Sequence, residues 1–191
     1  MRYTLDMNKL AKLLLLSSFI GTIAECMLIP VWAIFTDKVG GDVLDIGIGS
    51  ALFPILTGIT IYLLGKSDYY EKNIKSMVFW GFLIAGIGEF SYILVSNKWE
   101  LFFVQALIGL AVGILNPAWD ALYAEDESQT HAKKWSFWSG GISFITGFGM
   151  LLGSWVLSVF GWNTLFITMG IFDMIAVYYA YQVLIYKEET L

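Results

Sequence analysis

The sequence predicts an all-α membrane protein of six transmembrane helices with both ends in the cytoplasm, and three observations predict it. Hydrophobic residues make up 58% of the 191 and charged residues only 14%, with a mean hydropathy of +0.70, more apolar surface than a soluble domain can bury. The apolar residues fall in long unbroken runs, unlike the short alternating segments of a membrane barrel, and a helix satisfies its own backbone polar groups where lipid offers no water. A span needs about 20 residues, so six consume roughly 120 and leave short loops with no room for a soluble domain.

Breaks between the runs place α1 at 10–36, α2 at 43–65, α3 at 76–96, α4 at 99–121, α5 at 135–159 and α6 at 163–186. Arg2, Lys9 and Lys12 precede α1, but the apolar run continues to about Phe35 with no small-residue cleavage pattern, so it reads as a retained helix and not a signal peptide. Trp99 and Trp162 open α4 and α6, Trp80 and Trp135 stand near the starts of α3 and α5, and Trp32 and Trp119 lie toward helix ends, where indole favours the interface.

Orientation follows from the cations. Arg2, Lys9, Lys12, Lys66, Lys72, Lys75, Lys133, Lys134 and Lys187 fall on one side, against Lys38 and Lys98 on the other. The excess assigns the termini and the loops at 66–75 and 124–134 to the cytoplasm, and the loop of Asp37, Asp42 and Asp45 to the outside. The expected location is therefore a cell or inner membrane, crossed several times.

Much chemistry is excluded. Cys26 is the single cysteine and lies in an apolar run, so one chain builds neither a disulfide nor a thiolate metal site. There is no glycine-rich phosphate loop, the one histidine, His131, stands in a loop, and Glu125-Asp126-Glu127 reads as a solvated acidic loop. Asp120 and Asp173 lack any motif for aspartate-pair proteolysis. No enzyme activity, metal, cofactor or nucleic acid is expected; the expected partners are lipid, a small-molecule substrate and a second copy of the chain.

A weak internal repeat relates the halves, about 10–96 and about 99–186, at an offset of roughly 87 residues. Leu28-Ile29-Pro30-Val31-Trp32 resembles Leu115-Asn116-Pro117-Ala118-Trp119. Thr57-Gly58 and Leu63-Leu64-Gly65 resemble Thr146-Gly147 and Leu151-Leu152-Gly153, and Gly86-Ile87-Gly88-Glu89 resembles Gly170-Ile171-Phe172-Asp173. With three helices per unit, the second unit is inverted in the membrane.

Three carboxylates stand inside helices near one depth: Glu25, Glu89 and Asp173. A charge at mid-bilayer costs on the order of 3 kcal/mol, and no Lys or Arg lies in a helix core to pair with them. Groups that gain and lose a proton in such a place suit proton coupling or recognition of a cation; neutral carboxyls joining neighbouring helices are the plainer reading.

Polar residues form stripes on two helices. Ser18, Gly21 and Thr22 share the face of Glu25 in α1, while Gln105, Gly109, Asn116 and Asp120 recur down α4, with Pro117 interrupting the ladder. Such stripes face protein or a water-filled cavity, not lipid, so Ser18, Thr22, Gln105, Asn116, Trp119 and Asp120 are the expected cavity residues. Packing alone also accounts for Gly109, and Asp120 can simply reach the cytoplasmic interface. Small residues follow one face of α2 (Gly47, Ser50, Pro54, Gly58, Gly65) and one of α5 (Ser136, Gly140, Ser143, Gly147, Ser154), surfaces suited to close helix packing.

The stretch from Gln105 to Glu125, QALIGLAVGILNPAWDALYAE, resembles the fourth helix of major facilitator superfamily transporters, and nearly the whole chain resembles their amino-terminal half. Gln105 stands where the family has a basic residue. Gly140, Gly149 and Gly153 match the glycine spacing of the fifth-helix motif of its proton-linked drug antiporters, with Ser154 in place of the following proline and no later glycine pair. The family's cytoplasmic gating loop is similar to Gly65-Lys66-Ser67-Asp68, one residue short, with Tyr69 replacing a basic residue and Lys72 and Lys75 keeping the charge. Gly65, Asp68 and Lys72 are its counterparts here.

The resemblance implies half of a twelve-helix fold: a single six-helix domain over 1–191 made of two inverted three-helix repeats. It implies that α1 and α4 line the cavity and that α3 and α6 stand outside, giving Glu89 and Asp173 structural roles. A seam between halves would run along α2 and α5 through Gly47, Pro54, Gly58, Gly140, Gly147, Gly149 and Gly153. The expected function is a half-size secondary transporter, a parallel homodimer moving a small solute by alternating access with Glu25 coupling protons or cations. The alternative is a non-transporting assembly or binding protein, or a relic half.

Overall fold

The computed structural model describes residues 8–125 and 131–186; Arg2 and Lys187 of the cation count, and Asp126 and Glu127 of the acidic loop, lie outside them. All six runs are helices, α1 at Lys9–Lys38, α2 at Val43–Leu64, α3 at Ile74–Leu94, α4 at Lys98–Ala124, α5 at His131–Phe160 and α6 at Trp162–Ile185. Each is long and apolar enough to cross a membrane.

The helix boundaries follow from local chemistry. The Asn8 side chain accepts from the Ala11 amide at 2.7 Å and so caps α1. Pro30, which lacks an N–H and crowds the preceding turn, tightens α1 to a 3₁₀ turn at Ile29–Val31. Asp42 and Asp45 form a reciprocal capping box at the start of α2, each bond 2.9 Å. Lys98, in the first turn of α4, donates to Asp45 at 2.9 Å and ties the two helix starts together.

Lys134 corrects one expectation. It is not a loop cation but is buried at the start of α5, where it donates to the carbonyls of Tyr123 and Ala124. The Tyr123 hydroxyl donates back to the Lys134 carbonyl at 3.1 Å. An ammonium here satisfies carbonyls that the end of α4 leaves without helical donors.

The packing order is interleaved. α1 packs on α5 and α6, α4 packs on α2 and α3, and α3 packs on α6. Exchanging α1 with α4, α2 with α5 and α3 with α6 leaves this pattern unchanged, as an inverted pair of three-helix units would. Leu10, Leu14, Tyr70, Leu122 and Val183 share one core, and Lys75 reaches the Tyr186 carbonyl at 3.1 Å. The start of α1 and the end of α6 therefore lie at the same end. The opposite end is closed by Phe35, whose ring stands 4.9 Å from Phe166 and 5.1 Å from Trp162.

This arrangement makes a topology test concrete. Single cysteines at Lys72 and Lys133, both exposed, should react with an impermeant reagent from one side of the membrane, and a cysteine at Asp42 from the other. Labelling of all three from one side would overturn the six-span topology.

Candidate functional site

Between the two packed ends, α1, α2 and α4 enclose two cavities. One, about 490 Å³, lies toward the chain ends and is lined by Ser18, Thr22, Glu25, Thr57, Asn116, Trp119, Asp120 and Trp138, among others. The second, about 440 Å³, lies toward the opposite end and includes Glu25, Trp32, Ser50, Glu89, Tyr92 and Gln105. Glu25 and Phe53 line both. Glu25 is exposed although it sits deep in its helix, because its side chain faces the cavities and not the packed interior.

The polar stripes are thus divided by Glu25. Asn116 and Asp120 stand on one side of it and Gln105 on the other. Gly109 is a packing residue: a Cβ there would stand 2.6 Å from the Phe53 carbonyl oxygen, so α4 lies directly on the α2 backbone. At this contact the Thr57 hydroxyl lies 2.9 Å from both the Phe53 and Gly109 carbonyls.

Trp119 is no interface anchor. It is buried, and its indole N–H donates to the Leu14 carbonyl at 2.9 Å, joining α4 to α1. Its ring packs 5.4 Å from Trp138, a cavity residue that the sequence stripes missed because Trp138 falls off the small-residue face of α5. The Trp138 indole nitrogen is buried without a hydrogen-bond partner.

α3 and α6 do not stand wholly apart from the site. Glu89 is buried at 4% exposure yet lines the second cavity. Behind it, Asp173 of α6 stands beside Glu89 across the α3–α6 contact, and Glu89 Oε2 and Asp173 Oδ2 are both buried without a hydrogen-bond partner. The approach is reciprocal: a Cβ on Gly86 would stand 3.1 Å from Asp173 Cβ, and one on Gly170 would run into the Phe90 ring. The helices close this far only because neither position carries a side chain.

In the loop after α2, Gly65 caps the helix and Asp68 opens a five-residue helix, Asp68–Lys72, capped by Ser67. Asp68 and Lys72 are exposed. The residue that docks this loop is Tyr70, whose hydroxyl donates to the Ile114 carbonyl at 2.8 Å, in the stretch of α4 that Pro117 interrupts. Burial pushes the Tyr70 phenol up to about 12, so it remains a donor at neutral pH. An aromatic residue in a polar loop gave no distinguishing signal in the sequence.

The seven glycine and proline positions assigned to the seam divide in two. A Cβ on Gly47, Gly58, Gly140 or Gly147 would meet nothing within 4 Å, and Pro54 is exposed. Gly149 and Gly153 instead press on α1: a Cβ on Gly149 would stand 2.9 Å from the Ile23 carbonyl, and one on Gly153 would enter the Met27 backbone. They belong to the α1–α5 contact within the chain, a small-xxx-small crossing.

The comparisons with known proteins accord with this architecture. The sequence profile of the Major Facilitator Superfamily matches residues 14–190. The chain is also similar to a protein of Staphylococcus haemolyticus (strain JCSC1435) described as "Proton-coupled antiporter flippase LtaA", with 27% identity over 172 residues, covering 80% of this chain and 40% of the relative. The chain therefore spans about two fifths of that relative's length. Six apolar helices and a family match running through all of them make this a multi-pass integral membrane protein and a member of the Major Facilitator Superfamily.

Proposed function

We propose that this chain is the six-helix unit of a secondary active transporter, which moves a small solute by alternating access as a parallel homodimer with cytoplasmic termini, and that Glu25 is its proton-exchanging group. The observation that carries this reading is the position of Glu25 at the boundary of two cavities on opposite sides of it. A carboxyl so placed meets solvent from one end of the bundle in one conformation and from the other end in the next, as coupling requires. The relative's description as a proton-coupled antiporter supports the proton as coupling ion.

The dimer reading rests on the open faces of α2 and α5. Ile48, Ile55 and Ile59 of α2 and Phe144, Phe148 and Leu151 of α5 are exposed beside Gly58 and Gly147. Two copies inserted in the same orientation would bring α2 of one against α5 of the other and close the cavities toward lipid. Reconstituted as the sole protein, the chain should be dimeric by mass in nanodiscs. In proteoliposomes it should move protons, read by an interior pH dye, when a substrate from a panel of small solutes is added. A monomer in nanodiscs would overturn the dimer, and a dimer that binds solutes without proton or solute flux would overturn transport.

A further inference from the structure

We propose that the Glu89–Asp173 carboxyl pair is a proton-storage site, cycling between two protons and one, and that Glu25 relays the exchanged proton between this pair and the cavities. The proposal builds on the reading of Glu25 above and extends it to a site one layer deeper. Two facing carboxyls are acceptors only when ionised, so a hydrogen bond between them requires at least one proton. Glu89 and Asp173 are brought together at the α3–α6 contact, where Gly86, one turn before Glu89, lets the Asp173 side chain approach the α3 backbone. Protons have places to sit here, because Glu89 Oε2 and Asp173 Oδ2 are both buried without a partner. Buried polar atoms left unpaired are costly, and a site that gains and loses a proton accounts for them.

Glu89 also has access. Its side chain lines the second cavity together with Glu25, while Asp173 is sealed behind it between α3 and α6. The ionisable groups facing the pair are Glu25 and Cys26 from α1 and Tyr92 from α3. α4 contributes Gln105 and Ile108 at this cavity, neither of them ionisable. No Lys or Arg among the described residues lines it, so the protein supplies no cationic side chain as counter-charge and a proton can take that part. No three His, Cys, Asp or Glu among the described residues are grouped to hold a metal ion. The transfer balances simply: an O–H of the doubly protonated pair breaks, an O–H forms on the Glu25 carboxylate, and the remaining proton is shared between the facing oxygens.

Infrared spectroscopy of the chain in lipid bilayers, stepped across the neutral pH range, tests this without any substrate. A protonated-carboxyl C=O band should grow as pH falls, shift promptly in deuterated water and be indifferent to exchanging choline for sodium. Glu89→Gln and Asp173→Asn should each remove at least half of it. Glu25→Gln should keep the band and slow its deuterium exchange several-fold. The proposal fails if the unsubstituted chain shows no titrating band, if the band never exchanges with solvent, as a structural pair would behave, or if sodium displaces it. It fails equally if the band survives both pair substitutions or disappears in Glu25→Gln, which would place the proton on Glu25. Should a pair variant misfold, Glu25→Gln still decides, because a titrating band that survives it is not carried by Glu25. Loss of transport with the band intact would count against the transporter reading alone.

Discussion

Glu25→Gln should abolish proton-coupled uptake, with a loss on the order of 100-fold, the range set by removing a positioned proton-transfer group. The amide keeps the shape and hydrogen-bonding capacity of the carboxyl but does not titrate. Because Glu25 faces open cavities, the variant should keep its oligomeric state and thermal stability. Solute binding should persist and lose its dependence on pH. The measurement is paired: counterflow, which needs no net proton movement, against uptake driven by a pH gradient. Retention of gradient-driven, pH-dependent uptake in Glu25→Gln would remove Glu25 from the mechanism.

The second large effect separates two faces of α5. Gly153→Leu should destabilise the bundle by about 3 kcal/mol, at the upper end of overpacking penalties, because any side chain there enters the backbone of α1 at Met27. Gly147→Leu should leave the bundle intact, since nothing lies within 4 Å of a Cβ at that position, yet convert dimer to monomer if the α2 and α5 faces meet across copies. Thermal unfolding and mass in nanodiscs read the two effects independently. A Gly147→Leu protein that remains dimeric would disprove the seam, while a stable Gly153→Leu protein would contradict the close α1–α5 contact.

These two glycine sets show where the sequence was legible and where it was read too coarsely. At about 100° per residue, Gly149 lies roughly 180° around the helix from Gly140, with Gly153 nearby. The spacing therefore placed them on the face opposite Gly140 and Gly147, though a motif-based reading pooled all four. What spacing does not reveal is whether a small-residue face receives a helix of the same chain or of another copy, since the packing physics is the same. The six helices were legible because lipid imposes a long, uniform apolar signal. Glu25, Glu89 and Asp173 stood out because a carboxyl at that depth is costly, and the structure gathers them around one cavity wall. Lys134 was misplaced because a cation at a helix start reads as loop charge until the carbonyls it serves, those of Tyr123 and Ala124, are known. Tyr70 was invisible for the same reason: its acceptor, the Ile114 carbonyl, is on another helix.

The interleaved packing also governs how the molecule is made. α1 leaves the ribosome first, but its partners are α5 and α6, and α5 begins at His131, about 90 residues after α1 ends at Lys38. At translation rates of about 5–20 residues per second, α1 waits roughly 5 to 20 s for the surfaces that cover it. During that interval Glu25, Ser18 and Thr22 have no completed bundle around them. The first three helices alone contain neither partner of α1 nor α4, the principal partner of α2. A nascent chain arrested after α3 thus has no packed unit to fall into; α2 and α3 gain theirs when α4 arrives, and α1 joins the bundle only with the last two helices, so assembly runs in two steps with the helix that carries Glu25 placed in the second.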